Sequence, residues 1–406
     1  SMVMQQMSGL QTDYYRDYNC DPIDVNTNGR WTAMYGTGGL VDMKMTQKVA
    51  TEQEKYVLLG ISQMWEALIF STAADIWGDI PYSQAANSDF AEPKFDSQRD
   101  IHDSILNLID SAIANFDKGQ VYNLPSDFDF TFSADIEKWK RAAHTLKSRI
   151  YLNWAEVESA NYLRALESAE QGIMDLSGLG DWKALHGAAI SERNVWFQFF
   201  LSNPDYMGAG KLLVDMLKED GDGRLGVYFL ANGTTDIVGV SPGDSISSAS
   251  MLNVVGHFGM SWKPEFVSWY ENRFIMAECN FKLGNEQLAL EILNETLVGI
   301  EQRWASSGYV NILIPRYTSI SGDILLEAIM NEKYKALFLN IQSWSDWRRT
   351  GFPKFIDASG NSTECGGEEF GEGVPRRLLY PEKEKSTNPN CPQNDNIYDR
   401  VENDPN

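Results

Sequence analysis

The sequence predicts a mainly α-helical protein in which helix pairs form a scaffold and a loop-rich portion holds minor β-structure. Apolar residues recur at three- and four-residue steps through residues 40–176 and again through 263–350. Between them, residues 177–262 are rich in Gly, Asn, Asp and Ser, and so long a loop region is usually functional or contains small strands. The helices follow one another as antiparallel pairs of about 34–40 residues, which is typical of tetratricopeptide-like units, with ordinary helical hairpins as the alternative.

The N-terminal scaffold, residues 40–176, is predicted to contain four helices. The first spans 40–73 and stops before Gly78 and Pro81, because glycine and proline end helices. The next three are expected at about 97–117, 135–158 and 161–176, where apolar residues again follow the helical period.

The remaining segments are predicted in the same way. Within the irregular portion, helical periodicity persists only near 208–219. The C-terminal scaffold, 263–350, is expected to hold helices at 264–283, 285–304 and about 321–342. Residues 351–406 form a tail rich in Gly, Pro, Asn and Glu with little helix. All of these regions are predicted to belong to one domain, 1–406.

Charge and hydropathy exclude several partners. The net charge is −23, from 57 acidic and 34 basic residues, and no basic stripe interrupts it. That field repels phosphate backbones and anionic lipid, so neither nucleic-acid binding nor polybasic attachment to a membrane is expected. No uninterrupted run of about 18 apolar residues occurs, so no bilayer-spanning helix is expected. The start Ser1–Met4 lacks the features of a signal peptide and is consistent with a processed or truncated N-terminus.

The cysteines do not indicate a metal site. Cys20, Cys279, Cys365 and Cys391 show no CxxC spacing, and only four histidines are scattered around them, so neither zinc nor another cofactor is predicted. Cys279 lies within a helical pattern and is predicted to be a buried thiol. Cys365 and Cys391 both fall in the polar tail and could pair in an oxidising compartment, a point the sequence leaves open.

Several short patterns resemble catalytic or metal motifs but fail on physical grounds. The GxSxG pattern around Ser241 cannot form an oxyanion hole through the next residue, because Pro242 has no backbone N–H. Residues 220–223 resemble the start of a calcium loop but lack the later ligands, so a solvated turn is predicted. Asp75 and Asp79 precede a helix stop and are expected to bond loop backbone. No catalytic residue is predicted.

Seven segments, taken in order, carry a family resemblance. They are Ala74–Tyr82, Trp139–Leu152, Gly223–Leu225, Val238–Gly243, Phe274–Cys279, Trp344–Pro353 and Val374–Pro381. Together they resemble the SusD/RagB-type nutrient-binding outer-membrane lipoproteins. The late run WSDWRRTGFP matches the family's pattern most fully, whereas Trp77 replaces a Phe in the "FGDxPY" turn and Gly223 replaces a Pro in "DPRL".

The resemblance implies a SusD-like domain with four tetratricopeptide-like helix pairs and no catalysis. It implies a cell-surface protein that binds a glycan or oligosaccharide and delivers it to a SusC-like TonB-dependent β-barrel transporter, which it caps. It further implies attachment to the outer membrane through a lipid anchor. Cys20 lacks the apolar segment that precedes a lipidated cysteine, so the anchor segment is expected to have been removed.

Three alternatives stay open at this point. The chain could be a peptide-binding member of the same family, a glycoside-processing enzyme, or a helical scaffold that binds only protein. An enzyme of the second kind would need two carboxylates about 5–10 Å apart in a cleft.

Two regions combine aromatic residues with Asn, Asp and Arg, the mixture that suits a sugar, since rings stack on sugar C–H faces and polar groups bind hydroxyls. Twelve Trp, 17 Tyr and 19 Phe exceed what packing usually needs. The candidate ligand residues of the first region are Tyr14, Tyr15, Tyr18 and Asn28. Those of the second region are Trp182, Trp196, Phe199, Asn203, Asp205, Tyr206, Phe258 and Trp262.

The run from residue 344 to residue 353 is given a structural role. Arg348 and Arg349 are predicted to form ion pairs and bonds to backbone carbonyls, with Asp346 adjacent, because arginine suits buried pairing. Trp344 and Trp347 are predicted to lie in the core.

Overall fold

The computed structural model of the chain describes residues 2–10, 25–36, 38–119, 129–241, 248–309, 312–356, 362–363, 374–393 and 396–405. The chain divides into two compact units. The larger unit comprises Ser1–Asp21 and Met174–Val374, and the smaller unit comprises Pro22–Ile173 and Pro375–Asn406. The single domain over 1–406, with its four regions, stays a prediction.

The smaller unit is built from helices. They are Val25–Tyr35, Leu40–Glu52, Tyr56–Trp77, Gln98–Lys118, Ile136–Asn153, Asn161–Ala169 and Glu382–Thr387. One short antiparallel pair joins Ile80–Pro81 to Phe95–Asp96. The helix predicted over 40–73 is in fact two helices, because the backbone turns at Glu54, whose φ is +54°. Ser97 and Asp135 cap two helix starts by accepting backbone N–H bonds, which fixes both close to the predicted positions.

The helix Tyr56–Trp77 is the core helix of the smaller unit. By length and composition alone this helix could cross a membrane, which differs from the prediction that the chain has no bilayer-spanning helix. However, 72% of its most apolar window is buried inside the protein. It ends at Gly78, whose φ of +81° is a conformation that glycine adopts readily.

The larger unit combines helices with short strands. Its helices are Val195–Ser202, Lys211–Glu219, Arg224–Tyr228, Trp269–Lys282, Glu286–Ser306, Gly322–Ala336 and Gln342–Thr350, with a 3₁₀ turn at Ile190–Glu192. Four antiparallel strand pairs are Met7–Gly9 with Met207–Ala209, Trp182–Lys183 with Glu265–Val267, Phe229–Leu230 with Met251–Leu252, and Phe355–Ile356 with Ser362–Thr363. The predicted mainly α fold with minor β-structure is confirmed.

Three local predictions for the larger unit need correction. The helix expected from 264 begins at Trp269, because the preceding residues form a strand and the Ser268 hydroxyl caps the helix. The helix expected over 321–342 breaks near Leu339, whose φ is +65°. The helix Val195–Ser202 was not predicted, because its almost wholly apolar sequence shows no helical periodicity.

The close packing of two helices in the larger unit gives a first testable prediction. A Cβ atom added at Gly299 would lie 2.1 Å from a ring carbon of buried Trp269 and 2.9 Å from Leu176. We expect Gly299→Ala to lower the free energy of unfolding by about 1–3 kcal/mol, the usual cost of overpacking. Denaturant unfolding would measure this. Gly226→Ala, where a Cβ meets nothing within 4 Å, is the control, and equal effects in the two variants would contradict the prediction.

Candidate functional site

A cavity of about 630 Å³ opens in the larger unit, and seven of its 20 lining residues are aromatic. Its aromatic lining comprises Tyr228, His257, Phe258, Trp262, Tyr270, Trp304 and Phe338. Its charged lining comprises Lys183, Lys263, Glu265 and Arg303. This volume falls within the range of small-molecule sites, which are concave, mostly apolar and supplied with a few polar groups.

Two segments bring the rings together. The first follows the strand Met251–Leu252 and makes a compact loop, in which the N–H of Phe258 donates to the carbonyl of Asn253 at 3.0 Å. The second is the end of the helix Glu286–Ser306, where the N–H of Tyr309 donates to the carbonyl of Trp304 at 2.9 Å. The loop and the helix end therefore meet at the cavity, where His257 contacts Trp304.

The rings meet mostly edge to face. The His257 ring centre lies 4.4 Å from that of Trp304 at an interplanar angle of 77°. Phe258 and Trp262 are 4.7 Å apart at 82°. Such T-shaped pairs are favourable because the positive edge of one ring meets the negative face of another. The rings of each pair therefore lie nearly perpendicular to each other. The side chains of Trp262 and Trp304 are half-buried.

One ion-pair network supports the cavity wall. Arg303 donates to both carboxylate oxygens of Asp181, at 2.7 and 3.2 Å, and to the backbone carbonyl of Leu176 at 2.7 Å. Lys183 lies 3.4 Å from Asp181 and 3.7 Å from Glu265. Burial raises the pKa of Glu265, and the field of Lys183 only partly offsets this. Arg303 is thus held in place by its partners, whereas Lys183 makes looser contacts.

The cavity contains two of the predicted ligand residues. Trp262 and Phe258 line it, although Phe258 is buried against its neighbours. Trp182 belongs to the same region of the sequence but is fully buried in a strand and packs edge to face on Phe266, which favours a packing role.

The other candidates of the second region lie elsewhere in the larger unit. Trp196 and Phe199 lie on the helix Val195–Ser202, and Phe199 contacts Tyr206 at 6.4 Å between ring centres. Asn203 ends that helix by donating from its amide to the carbonyl of Phe199. Asp205 is exposed in the following turn. None of these five residues is among the lining residues of the cavity in the described part of the chain.

The first predicted region is described only at Asn28. This residue is half-buried in the helix Val25–Tyr35 of the smaller unit. Tyr14, Tyr15 and Tyr18 lie outside the described residues. The ligand role of all these candidates stays a prediction.

Sequence reasoning missed His257, Trp304, Arg303 and Lys183. Trp304 continues the apolar pattern of a scaffold helix, so its position in the sequence indicates core packing. His257 is a single histidine in an irregular loop without a motif. Only the aromatic surplus between residues 177 and 262 pointed towards this cavity.

The aromatic and arginine-rich run from residue 344 to residue 353 is structural, as predicted for Arg349. Its guanidinium donates to Glu278 at 2.7 Å and to Asp346 at 2.6 Å, which confirms the predicted ion pair. Lys333 also donates to Asp346, at 2.8 Å. All four side chains are buried. The cluster therefore ties the helix Gln342–Thr350 to its neighbours.

The remaining residues of this run also pack inside. Trp344 and Trp347 are buried, which confirms their predicted core positions. Arg348 donates to the hydroxyl of Ser345 at 3.1 Å, and its guanidinium lies 4.8 Å from the ring centre of Trp344.

The predicted solvated turn at residues 220–223 is wrong for Asp222. Its carboxylate is fully buried and accepts from the Arg224 guanidinium at 3.0 Å. Arg224 also bonds Glu332, which Lys335 contacts as well. Paired charges compensate one another for the loss of water, so this acidic turn can be buried.

The two aspartates at the end of the core helix are hydrogen-bonded rather than free. Asp79 accepts the backbone N–H of Gln98 at 3.0 Å, so it bonds backbone as predicted, but at the start of the helix Gln98–Lys118 rather than in a loop. Asp75 accepts from the side-chain amides of Asn153 and Asn403, each at 2.8 Å.

The structure describes two of the four cysteines, Cys279 and Cys391. Cys279 is a buried free thiol, as predicted. Cys391 is also a buried free thiol, whereas Cys365 lies outside the described residues, as do Cys20 and Pro242. Across the described residues, no group of three or more His, Cys, Asp or Glu side chains could hold a metal ion.

The fold and the cavity define a class: a helix-pair scaffold protein with an aromatic-lined cavity in a loop-rich portion. The chain belongs to the SusD-like family described as "Starch-binding associating with outer membrane", whose model matches residues 1–381. This confirms the resemblance found in the sequence.

Solved structures share the fold at low sequence identity. A chitin-binding protein is 21% identical with a TM-score of 0.82, and the match covers 100% of this chain and 93% of that one. A SusD/RagB family protein from Bacteroides thetaiotaomicron is 20% identical with a TM-score of 0.78, covering 96% and 89%. A chitin-binding SusD homologue from Flavobacterium johnsoniae is 19% identical with a TM-score of 0.73, covering 100% and 92%. Among curated proteins no match was found.

Proposed function

We propose that this protein binds a glycan at the cell surface in the aromatic cavity of its larger unit and passes it to a SusC-like TonB-dependent transporter. The observation that carries the proposal is the pair of half-buried tryptophans, Trp262 and Trp304, in a cavity of about 630 Å³. Two structural neighbours are chitin-binding proteins, which supports a glycan as the ligand class.

The chemistry of the lining suits a sugar. A pyranose ring is apolar on its C–H faces and polar at its rim, so it needs a flat aromatic surface and a few hydrogen-bonding groups. Trp262 and Trp304 offer the aromatic surfaces, while His257, Lys183 and Lys263 offer polar atoms around them. Because these rings already pack edge to face, they lose little conformational entropy when a ligand binds, which favours binding.

The protein is proposed to bind without cleaving its ligand. Glu265 is the only carboxylate among the described lining residues. Nearby Asp181 is fully buried and bonded twice by Arg303. A glycosidase needs a second carboxylate facing the same cleft. Detection of shortened oligosaccharides after incubation with pure protein would contradict this part of the proposal.

The family supports the proposed location and partner. A family whose description includes association with the outer membrane supports a cell-surface position, and lipid anchoring and delivery to a transporter are proposed with it. Co-purification of the tagged protein with a β-barrel transporter from detergent-solubilised outer membranes tests the partner. A peptide ligand remains the second candidate for the same cavity.

Tryptophan substitution tests the cavity as the binding site. Trp304→Ala and Trp262→Ala should each weaken binding of a chitin or starch oligosaccharide by about tenfold or more, because each removes a large stacking surface. Isothermal calorimetry on the wild type and the variants measures this effect. Trp196→Ala tests the competing location, since Trp196 is a predicted ligand residue of similar burial that does not line the cavity. If the cavity is the binding site, the affinity of this variant should stay within about threefold of the wild type.

Two outcomes would overturn the proposal in different ways. Unchanged affinity in both cavity variants, with loss in Trp196→Ala, would move the site to the helix Val195–Ser202. Failure of the wild type to bind any oligosaccharide, together with binding of peptides that Trp304→Ala abolishes, would establish the second candidate.

A further inference from the structure

We infer that His257 orients the ligand in the cavity, offering its uncharged imidazole to a hydroxyl or acetamido group of a neutral sugar. This inference rests on the proposed function and assigns a specific hydrogen-bonding partner within that site. It also restricts the proposed ligands to sugars whose group in contact with the His257 ring carries no charge.

His257 is held by rings rather than by hydrogen bonds. Its ring centre lies 4.4 Å from that of Trp304, 4.7 Å from Phe258, 6.0 Å from Trp262 and 6.2 Å from Tyr309. Within the described residues, neither of its nitrogens bonds a protein atom, and neither belongs to the fully buried polar atoms that lack a partner. The imidazole is therefore fixed in orientation while its nitrogens stay accessible.

Two other histidines contrast with this arrangement. His102 is buried, and its two ring nitrogens bond the indole of Trp154 and the carbonyl of Ser71. His186 bonds the carbonyl of Glu192 through Nδ1. The ring nitrogens of these two histidines that form hydrogen bonds therefore stabilise the surrounding fold. His257 has the rigidity of a core residue but keeps its hydrogen-bonding capacity, which is the arrangement that a pre-organised ligand group requires.

Burial and a nearby cation keep His257 neutral. Burial, the larger cause, and the field of Lys183 together lower the pKa of His257 to about 4. Arg303 precedes Trp304 on the facing helix and is paired with Asp181, while Glu265 lies near Lys183. A neutral imidazole has one N–H donor and one nitrogen acceptor, so it can bond a hydroxyl or an amide in either direction.

The same charges disfavour a cationic sugar. Lys183, Lys263 and Arg303 line the cavity, and the carboxylates of Glu265 and buried Asp181 are already paired with Lys183 and Arg303. An ammonium group beside the neutral imidazole would therefore be repelled by the cation in excess and would find little compensation. An acetamido group carries no charge and offers both a donor and an acceptor. The cavity should therefore distinguish N-acetylated from deacetylated oligosaccharides of the same backbone.

Substitution of His257 tests the inference. His257→Phe keeps an aromatic ring but removes both nitrogens, and should weaken binding of a chitin oligosaccharide by about 3- to 15-fold, the equivalent of one ordinary hydrogen bond. His257→Gln restores a donor and an acceptor and should recover part of that loss. His186→Phe is the control and should bind as the wild type does. Calorimetry near pH 7 gives the affinities.

A ligand comparison and a titration complete the test. The deacetylated oligosaccharide, measured at pH 6, should bind at least tenfold more weakly than the acetylated one. The imidazole signals of His257, followed by NMR, should titrate well below pH 6. Equal affinity of His257→Phe and wild type, or preference for the deacetylated ligand, would overturn the inference while leaving the proposed function intact if Trp304→Ala still loses binding. Absence of oligosaccharide binding by the wild type would overturn both.

Discussion

Replacing Arg349 with Met is expected to lower the free energy of unfolding by about 3–5 kcal/mol, the usual cost of removing one partner from a buried ion pair. Arg349 bonds Glu278 and Asp346 in a site with almost no exposure. Without the guanidinium, Glu278 loses a cation that pairs with it inside the protein, and Asp346 keeps Lys333. Denaturant unfolding followed by tryptophan fluorescence measures the change.

An exposed arginine pair provides the control. Arg164 lies 3.5 Å from Glu158, and the two side chains are 51% and 42% exposed. Arg164→Met should cost less than about 1 kcal/mol, because exposed ion pairs are worth little. The double variant Arg349→Met with Glu278→Met removes both charges and should recover much of the loss. If the single and double variants are equally unstable, packing rather than charge explains the effect of Arg349.

The same cluster shows what the sequence could reveal. Arg349 and Asp346 lie one helical turn apart, so their pairing could be predicted from spacing alone. The pairing of Arg349 with Glu278 could not, since the two residues lie on different helices. The burial of Asp222 was not predicted for the same reason. The acidic residues of its turn indicate exposure to solvent, and the ion pairs of Arg224 with Asp222 and with the distant Glu332 are visible only in the fold.

Helices were predictable where one face is apolar and the other polar. The helices Gln98–Lys118 and Glu286–Ser306 were placed within two residues at each end, because apolar residues follow the helical period through both. The helix Val195–Ser202 is apolar on nearly every side, so periodicity could not reveal it.

The candidate site was predictable only in part. Phe258 and Trp262 lie in a segment whose aromatic content already indicated a ligand surface, and they line the cavity. Trp304 looked like a core residue of a scaffold helix, and nothing local distinguishes it from one. The cavity arises because a loop and a helix end meet in the folded chain. Neither segment carries a sequence pattern that indicates this contact.

A second large effect is expected at acidic pH, through Glu332. Burial alone would raise the pKa of Glu332, but Arg224 and Lys335 outweigh burial and hold the pKa at about 2, against 4.5 ordinarily. The folded state therefore binds this proton less readily than the unfolded state does. Its contribution, about 3 kcal/mol, is fully present above pH 4.5 and is lost as the pH falls through about 2. Asp346 acts in the same direction, since Lys333 and Arg349 lower its pKa despite burial.

The variant Glu332→Gln separates this residue from the general effect of acid. At pH 7 it should be less stable than the wild type by about 3 kcal/mol or more, because Arg224 and Lys335 lose the charge that compensates them. As the pH falls from 4.5 to 2, the wild-type carboxylate takes up a proton, so the two unfolding free energies should converge. Glu295→Gln, at an exposed carboxylate, should stay within about 1 kcal/mol of the wild type throughout. A constant gap between wild type and Glu332→Gln over this range would mean that Glu332 stabilises the fold through packing, independently of its charge.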